Sequence, residues 1–190
     1  MKSTRTSPGP RGEDHKPTDP AMLRAPLDFI AADHLRERLI CCDLDGLAAS
    51  GRLDRELARG ALRFLNEELG VHMRDESEDL FPLLLRRCPP EEDIDCVIRR
   101  IRCDQETART LLPQIRSVLA DCLDADRVPT RRVIAVLLCF TRHARRHLIA
   151  ETALLLPLAR VRLTARNLES LRLRIQARRV LTPTIETCHA

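Results

Sequence analysis

Tryptophan and tyrosine are absent from this chain of 190 residues, and phenylalanine occurs only four times. A β-sandwich or barrel fills its core with aromatic and β-branched side chains in alternation, and neither the rings nor the alternation are found here. The same lack excludes a tyrosyl or tryptophanyl radical, so any redox chemistry falls to a metal or a thiol. Long apolar runs are missing too: nothing approaches the roughly 20 residues that cross a bilayer. The N-terminus is polar and Pro-rich where a secretory leader would be apolar. A soluble protein in the cytoplasm, without a membrane partner, is expected. The eight cysteines (Cys41, Cys42, Cys88, Cys96, Cys103, Cys122, Cys139, Cys188) form no CxxC pair. Several occupy apolar positions of helical patterns, as small hydrophobes in a reducing compartment do. Lysine occurs only at Lys2 and Lys16, and the net charge of +4 is small against 32 basic and 28 acidic side chains. That mixed field does not call for nucleic acid.

What is present favours helices: 44% of residues are hydrophobic and 32% charged, which suits one domain with a substantial core. Residues 1–24, with Pro8, Pro10, Pro17 and Pro20 among polar neighbours, read as a flexible tail. From Pro26 to near Gly51, Leu27, Ile30, His34, Arg38, Cys41 and Leu44 share one helical face. Asp54 is the N-cap of a second helix carrying Leu65, Leu69, His72, Glu76, Leu80 and Leu83, which stops near Cys88 before Pro89-Pro90. Glu91, Glu92 and Asp93 suit the first turn of a third helix striped by Ile98, Ile101, Gln105, Ala108, Leu112, Ile115 and Leu119, with a kink expected at Pro113. After a linker at 124–129, a fourth helix aligns Phe140, Ala144, His147, Glu151, Leu155 and Leu158. A shorter fifth helix is expected over 165–181. Its arginines and lack of aromatics favour a solvated cap on the bundle over a nucleic-acid or membrane surface. Short connections force neighbouring helices antiparallel, so the fold expected is an all-α, up-down-up-down four-helix bundle over 25–163, with an additional C-terminal helix and tail over 164–190.

The chain also repeats itself. A shift of 75 superposes His72 on His147, Glu76 on Glu151, Pro82 on Pro157 and Leu83 on Leu158, so both halves read H-x3-E-x5-P-L. A shift of 71 places Asp33 on Asp104, His34 on Gln105 and Arg38 on Arg109. His and Glu one turn apart leave the same helix face and can grip one ion or two adjacent ions. A carboxylate inside an apolar stripe is expensive unless it is paired or bound to metal, and here that cost falls twice at equivalent positions. A lone His on an apolar face is ordinarily a core residue; duplication at matched register shifts the balance toward metal. His34 reaches the same depth in an antiparallel bundle. The resulting set of His34, His72, Glu76, His147 and Glu151 suits iron or manganese better than a thiolate-rich zinc site, and its carboxylates suit a pair of ions.

On the segments AADHLRERL, HMRDESEDLFPLL and HLIAETALLLPLA, the chain resembles the hemerythrin-like (HHE cation-binding) family over about residues 25–163. The resemblance implies a non-haem di-iron centre in a four-helix bundle that meets O2, nitric oxide or peroxide. It implies roles in oxygen binding, sensing, iron handling or repair of iron centres. The chain departs from that pattern in helix 3, where the family's His is replaced by Gln105 in CDQETARTLL. An amide oxygen is the weaker ligand, which leaves a mono-iron site, an open coordination position or a site without metal as alternatives. His143, one turn before His147, is the further ligand candidate beside Gln105. Glu37, nearly one turn after His34, is less favoured, and Asp104 points about 100° away from Gln105. Three functions remain open at this point: an iron protein that binds or responds to O2, nitric oxide or oxidants; an oxidoreductase or repair protein using the same site; and a metal-depleted interaction module.

Overall fold

The computed structural model describes residues 16–50, 54–125 and 129–181. Helix α1 (Pro26–Ser50) starts on a proline, whose fixed φ suits a first helical residue. The second rod opens where the Asp54 carboxylate accepts hydrogen bonds from the amides of Glu56 and Leu57. It then runs through α2 (Arg55–Glu67), α3 (Leu69–Arg74), a π-helical segment (Asp75–Leu80) and α4 (Phe81–Arg87). Cys88 turns extended ahead of Pro89 and ends it. Glu91 and Glu92 do not enter the next helix as expected. They lie in a 3-10 turn (Pro90–Glu92) followed by Asp93 at φ 46°, and the first-turn acid of α5 (Ile94–Ala125) is Asp95. Pro113 is accommodated inside α5. The fourth rod joins α6 (Arg131–Ala150), capped by the Thr130 hydroxyl, to a second π-helical segment (Glu151–Leu155) and α7 (Leu156–Arg162). Helix α8 (Ala165–Leu181) follows.

α1 packs on α2 and α6, and α5 packs on α2 and α6, closing a ring of four antiparallel rods. No strand occurs among the described residues, and none of their helices is long and apolar enough to cross a membrane. The stretch 1–24, read as a tail, is described only from residue 16. There a 3-10 turn (Pro20–Arg24) buries Leu23, and the Thr18 hydroxyl donates to Asp33 at 2.5 Å. Of the expected linker, residues 126–128 lie outside the described part.

The core comes in two parts. One gathers Ile40, Leu44, Leu65, Leu69, Ile115 and Phe140; the other gathers Ile30, Leu80, Phe81, Ile98, Leu155 and Leu171. On every rod the residues between them are polar and buried: His34 and Glu37 on α1, His72 and Glu76 on the second rod, Gln105 on α5, His147 and Glu151 on the fourth. A polar slab therefore cuts the bundle at mid-height.

The repeated proline explains the π segments. A proline ring clashes with the carbonyl four residues back and donates no N–H to it. Here the ladder widens just ahead of the ring: Phe81 N–H bonds Glu76 C=O and Leu156 N–H bonds Glu151 C=O, each five residues back. Both widened turns begin at the slab, and π segments of this kind concentrate at functional sites.

α8 closes one side. Leu171 and Ile175 are fully buried in the second of the two cores. Arg166 and Arg174 stay exposed, but several arginines of α8 reach carboxylates of other rods. Arg174 donates to Asp79 at 3.1 Å, Arg178 pairs with Asp75, with Asp79 at 2.7 Å and with Glu78 at 3.0 Å, and Arg179 pairs with Asp75 and, at 3.2 Å, with Asp33.

Candidate metal centre

The slab brings His34, His72, Glu76, His147 and Glu151 together, each at most 2% exposed. His34 Nε2 lies 2.8 Å from Glu76 Oε1 and 3.6 Å from Glu151 Oε2. His72 Nε2 lies 3.5 Å from the same Glu76 oxygen, and the His34 and His72 rings meet edge to face at 5.1 Å. One ligand atom from each of His34, His72 and Glu76 falls within 4.8 Å of the other two, close enough to share a cation.

The rear nitrogens are held. His34 Nδ1 faces the Thr152 hydroxyl oxygen at 3.2 Å, which also accepts from Arg38 at 2.9 Å. His34 Nε2 thereby faces the two carboxylates. Two acceptors 2.8 Å apart require a proton or a cation between them. His72 Nδ1 lies 3.4 Å from Asp33 Oδ2, the carboxylate-behind-imidazole arrangement that orients metal-binding histidines. Asp33 is fixed in turn by Thr18 and Arg179, and Arg179 stacks its guanidinium 4.5 Å from the centre of the Phe29 ring.

Gln105 sits in the slab, fully buried, but its Nε2 donates to Glu76 at 2.8 Å and to Glu151 at 3.2 Å. It therefore bridges the two carboxylates, and its Oε1 has no hydrogen-bond partner. His143 is not brought to the cluster. It is partly exposed against Asp104 at 2.8 Å, where Arg146 joins the same carboxylate. Glu37, given little weight on the sequence, is fully buried in the slab with Oε1 3.2 Å from His147 Nε2. Its signal was an acid three residues after His34 on a face otherwise filled by apolar groups. Asp33 and Thr152 lie beside that face and gave no comparable signal.

Protonation follows from burial and neighbours. Burial drops His34 to about 4, so it is neutral. Burial also disfavours charge on His72 and His147, but Glu76 and Asp33 lift the first well above the imidazole range, and Glu37 lifts the second to about 9. Burial, aided by Glu76, raises Glu151 to about 7. Burial would raise Glu37 as well, but the His147 charge beside it brings it below the usual carboxylate range.

A buried polar atom without a partner is costly, and here such atoms converge. Nε2 of His72, Oε2 of Glu37, Oε2 of Glu151 and Oε1 of Gln105 lack hydrogen bonds. A cation satisfies carboxylate oxygens and imidazole nitrogens at once, and this nitrogen and oxygen set fits a first-row divalent ion better than a thiolate-preferring one. Compared with known families, residues 25–159 match the model described as the hemerythrin HHE cation binding domain. No curated protein and no solved structure matches the chain.

Proposed function

The chain belongs to the hemerythrin HHE cation-binding domain family, and from that premise we propose that it is a non-haem iron protein that binds or responds to O2, nitric oxide or oxidants. One observation carries the reading: imidazoles and carboxylates with unsatisfied atoms converge in a slab sealed between two apolar cores. Donors buried in this way would suit a small diatomic or peroxide rather than a larger substrate. His34, His72 and Glu76 would hold one ion, with Glu151, Glu37 and His147 beside them. Iron, when bound, would supply a redox-active Lewis acid. The chain's own residues do the rest: Asp33 and Thr152 orient the imidazoles, Gln105 ties the two carboxylates together, and Leu80, Leu155 and Phe140 keep bulk water out.

Iron analysis of protein purified anaerobically tests this, followed by exposure to O2 and nitric oxide with absorption spectroscopy. Bound iron whose spectrum changes with either gas is the expected result. A chain that folds and takes up no iron refutes the proposal and favours an interaction module. Turnover of hydrogen peroxide with a reductant separates an enzyme from a sensor.

A further inference from the structure

We propose that Glu37 is a metal ligand, and that with His147 it holds a second divalent-cation position alongside the one at His34, His72 and Glu76. The inference rests on the cation-binding reading above and adds to it a ligand outside the duplicated His-x3-Glu pattern.

Glu37 lies on α1 in the polar slab with no exposed surface, its Oε1 paired with His147 and its Oε2 without a hydrogen-bond partner. A carboxylate so placed is among the most expensive groups a core can hold. His147 Nε2 lies 3.2 Å from its Oε1. Two donors bound at about 2.1 Å and at right angles on one ion stand about 3.0 Å apart, so the observed spacing suits two groups that share a cation. The neighbouring carboxylates are divided in the same sense. Glu76 gives Oε1 to His34 and Oε2 to Gln105, while Glu151 gives Oε2 to His34 and Oε1 to Gln105. Each thus presents one oxygen to His34 and one to the Gln105 amide. The repeat shows why the ligand comes from α1. A shift of 71 sets His34 against Gln105 and Glu37 against Ala108. α5 therefore offers an amide and a methyl where α1 offers an imidazole and a carboxylate, and Glu37 restores the charge that α5 fails to supply. The two positions differ in chemistry: two imidazoles and a carboxylate at the first, one imidazole and the Glu37 carboxylate at the second. Carboxylate oxygens suit manganese.

The test uses the full chain freed of metal and titrated with manganese(II), read by calorimetry and electron paramagnetic resonance. Wild type is expected to bind two ions whose signal is broadened by mutual coupling. Glu37→Gln is expected to bind one, with the resolved spectrum of an isolated ion, or to bind the second more than about 100-fold more weakly, beyond the 10–100-fold that outer partners contribute. His147→Gln removes the other donor and is expected to lose the same ion, so the test survives if one variant fails to fold. Two coupled ions of unchanged affinity in Glu37→Gln overturn the assignment, as does a wild type that binds one ion with an affinity indifferent to Glu37. A wild type that binds no cation overturns the cation-binding reading itself and is distinguishable from both.

Discussion

Replacing Asp33 by alanine removes a carboxylate that touches no cation position and yet stands behind one. Its Oδ2 is 3.4 Å from His72 Nδ1, and it accepts from Thr18 and Arg179. A metal-binding imidazole loses about 10–100-fold in cation affinity when such a partner is deleted. At 1.36 kcal/mol per decade, that is about 1.4–2.7 kcal/mol. The upper half of the range is expected, because His72 is sealed at 2% exposure and water cannot readily replace the lost acceptor. Arg179→Ala leaves Asp33 in place but loosens it, and should cost less. Its guanidinium also binds Asp75 and stacks on Phe29, so that variant destabilises the fold as well. Cation affinity measured by competition with a chromophoric chelator, together with thermal unfolding of the metal-free proteins, separates the two effects. An Asp33→Ala protein that folds and binds cation as tightly as wild type would refute the orienting role and detach α8 from the chemistry of the site.

Gln105→His places an imidazole where an amide now bridges Glu76 and Glu151; iron per chain should rise, and unchanged occupancy in a folded variant counts against the reading of that position. Cation affinity should also climb with pH. His147, lifted to about 9, and His72, held well above the ordinary range, keep protons at neutrality that a cation must displace. Each displaced proton gives about one decade per pH unit, flattening as His147 deprotonates near 9, and proton release during calorimetry at pH 6 to 9 measures it. A pH-independent affinity over that interval would contradict the assignment. In the metal-free protein the raised His147 contributes stability that is complete below about 6.5 and is lost as pH rises through about 9, which unfolding curves across that range will show.

The helical stripes were legible because period and burial agree. Leu27, Ile30, His34, Cys41 and Leu44 fall on one face and are all buried, and Asp54 caps the helix it was expected to cap. His34, His72, Glu76, His147 and Glu151 were legible as a group because polar side chains interrupt apolar stripes at matched registers, and the structure gathers them in one slab. Glu37 was harder to see. Its counterpart under the 71-residue shift is Ala108, so the duplication that gave the other residues their weight was silent there. The π segments were hidden for a different reason. Pro82 and Pro157 were visible as a repeated pair, but a proline in a helix can kink it, break it or widen it, and only the hydrogen-bond ladder shows which.

The role of α8 could not be read from any local pattern, because its arginines reach partners 95 to 146 residues earlier in the chain. Arginines spaced along a polar helix read as a solvated surface. They become something else only when the fold supplies buried carboxylates, and Asp33, Asp75 and Asp79 are such groups. Asp75 adjoins Glu76 at the start of the π turn, and Asp33 adjoins His34 on α1 while backing His72. The ion pairs therefore fall on the two backbone positions that set where the donors point. That couples the order of a helix beyond the matched domain, which ends at residue 159, to the geometry of the slab. A polar layer this expensive can persist in a small bundle when its outer carboxylates are neutralised from one side by α8 and its inner ones by a cation from within.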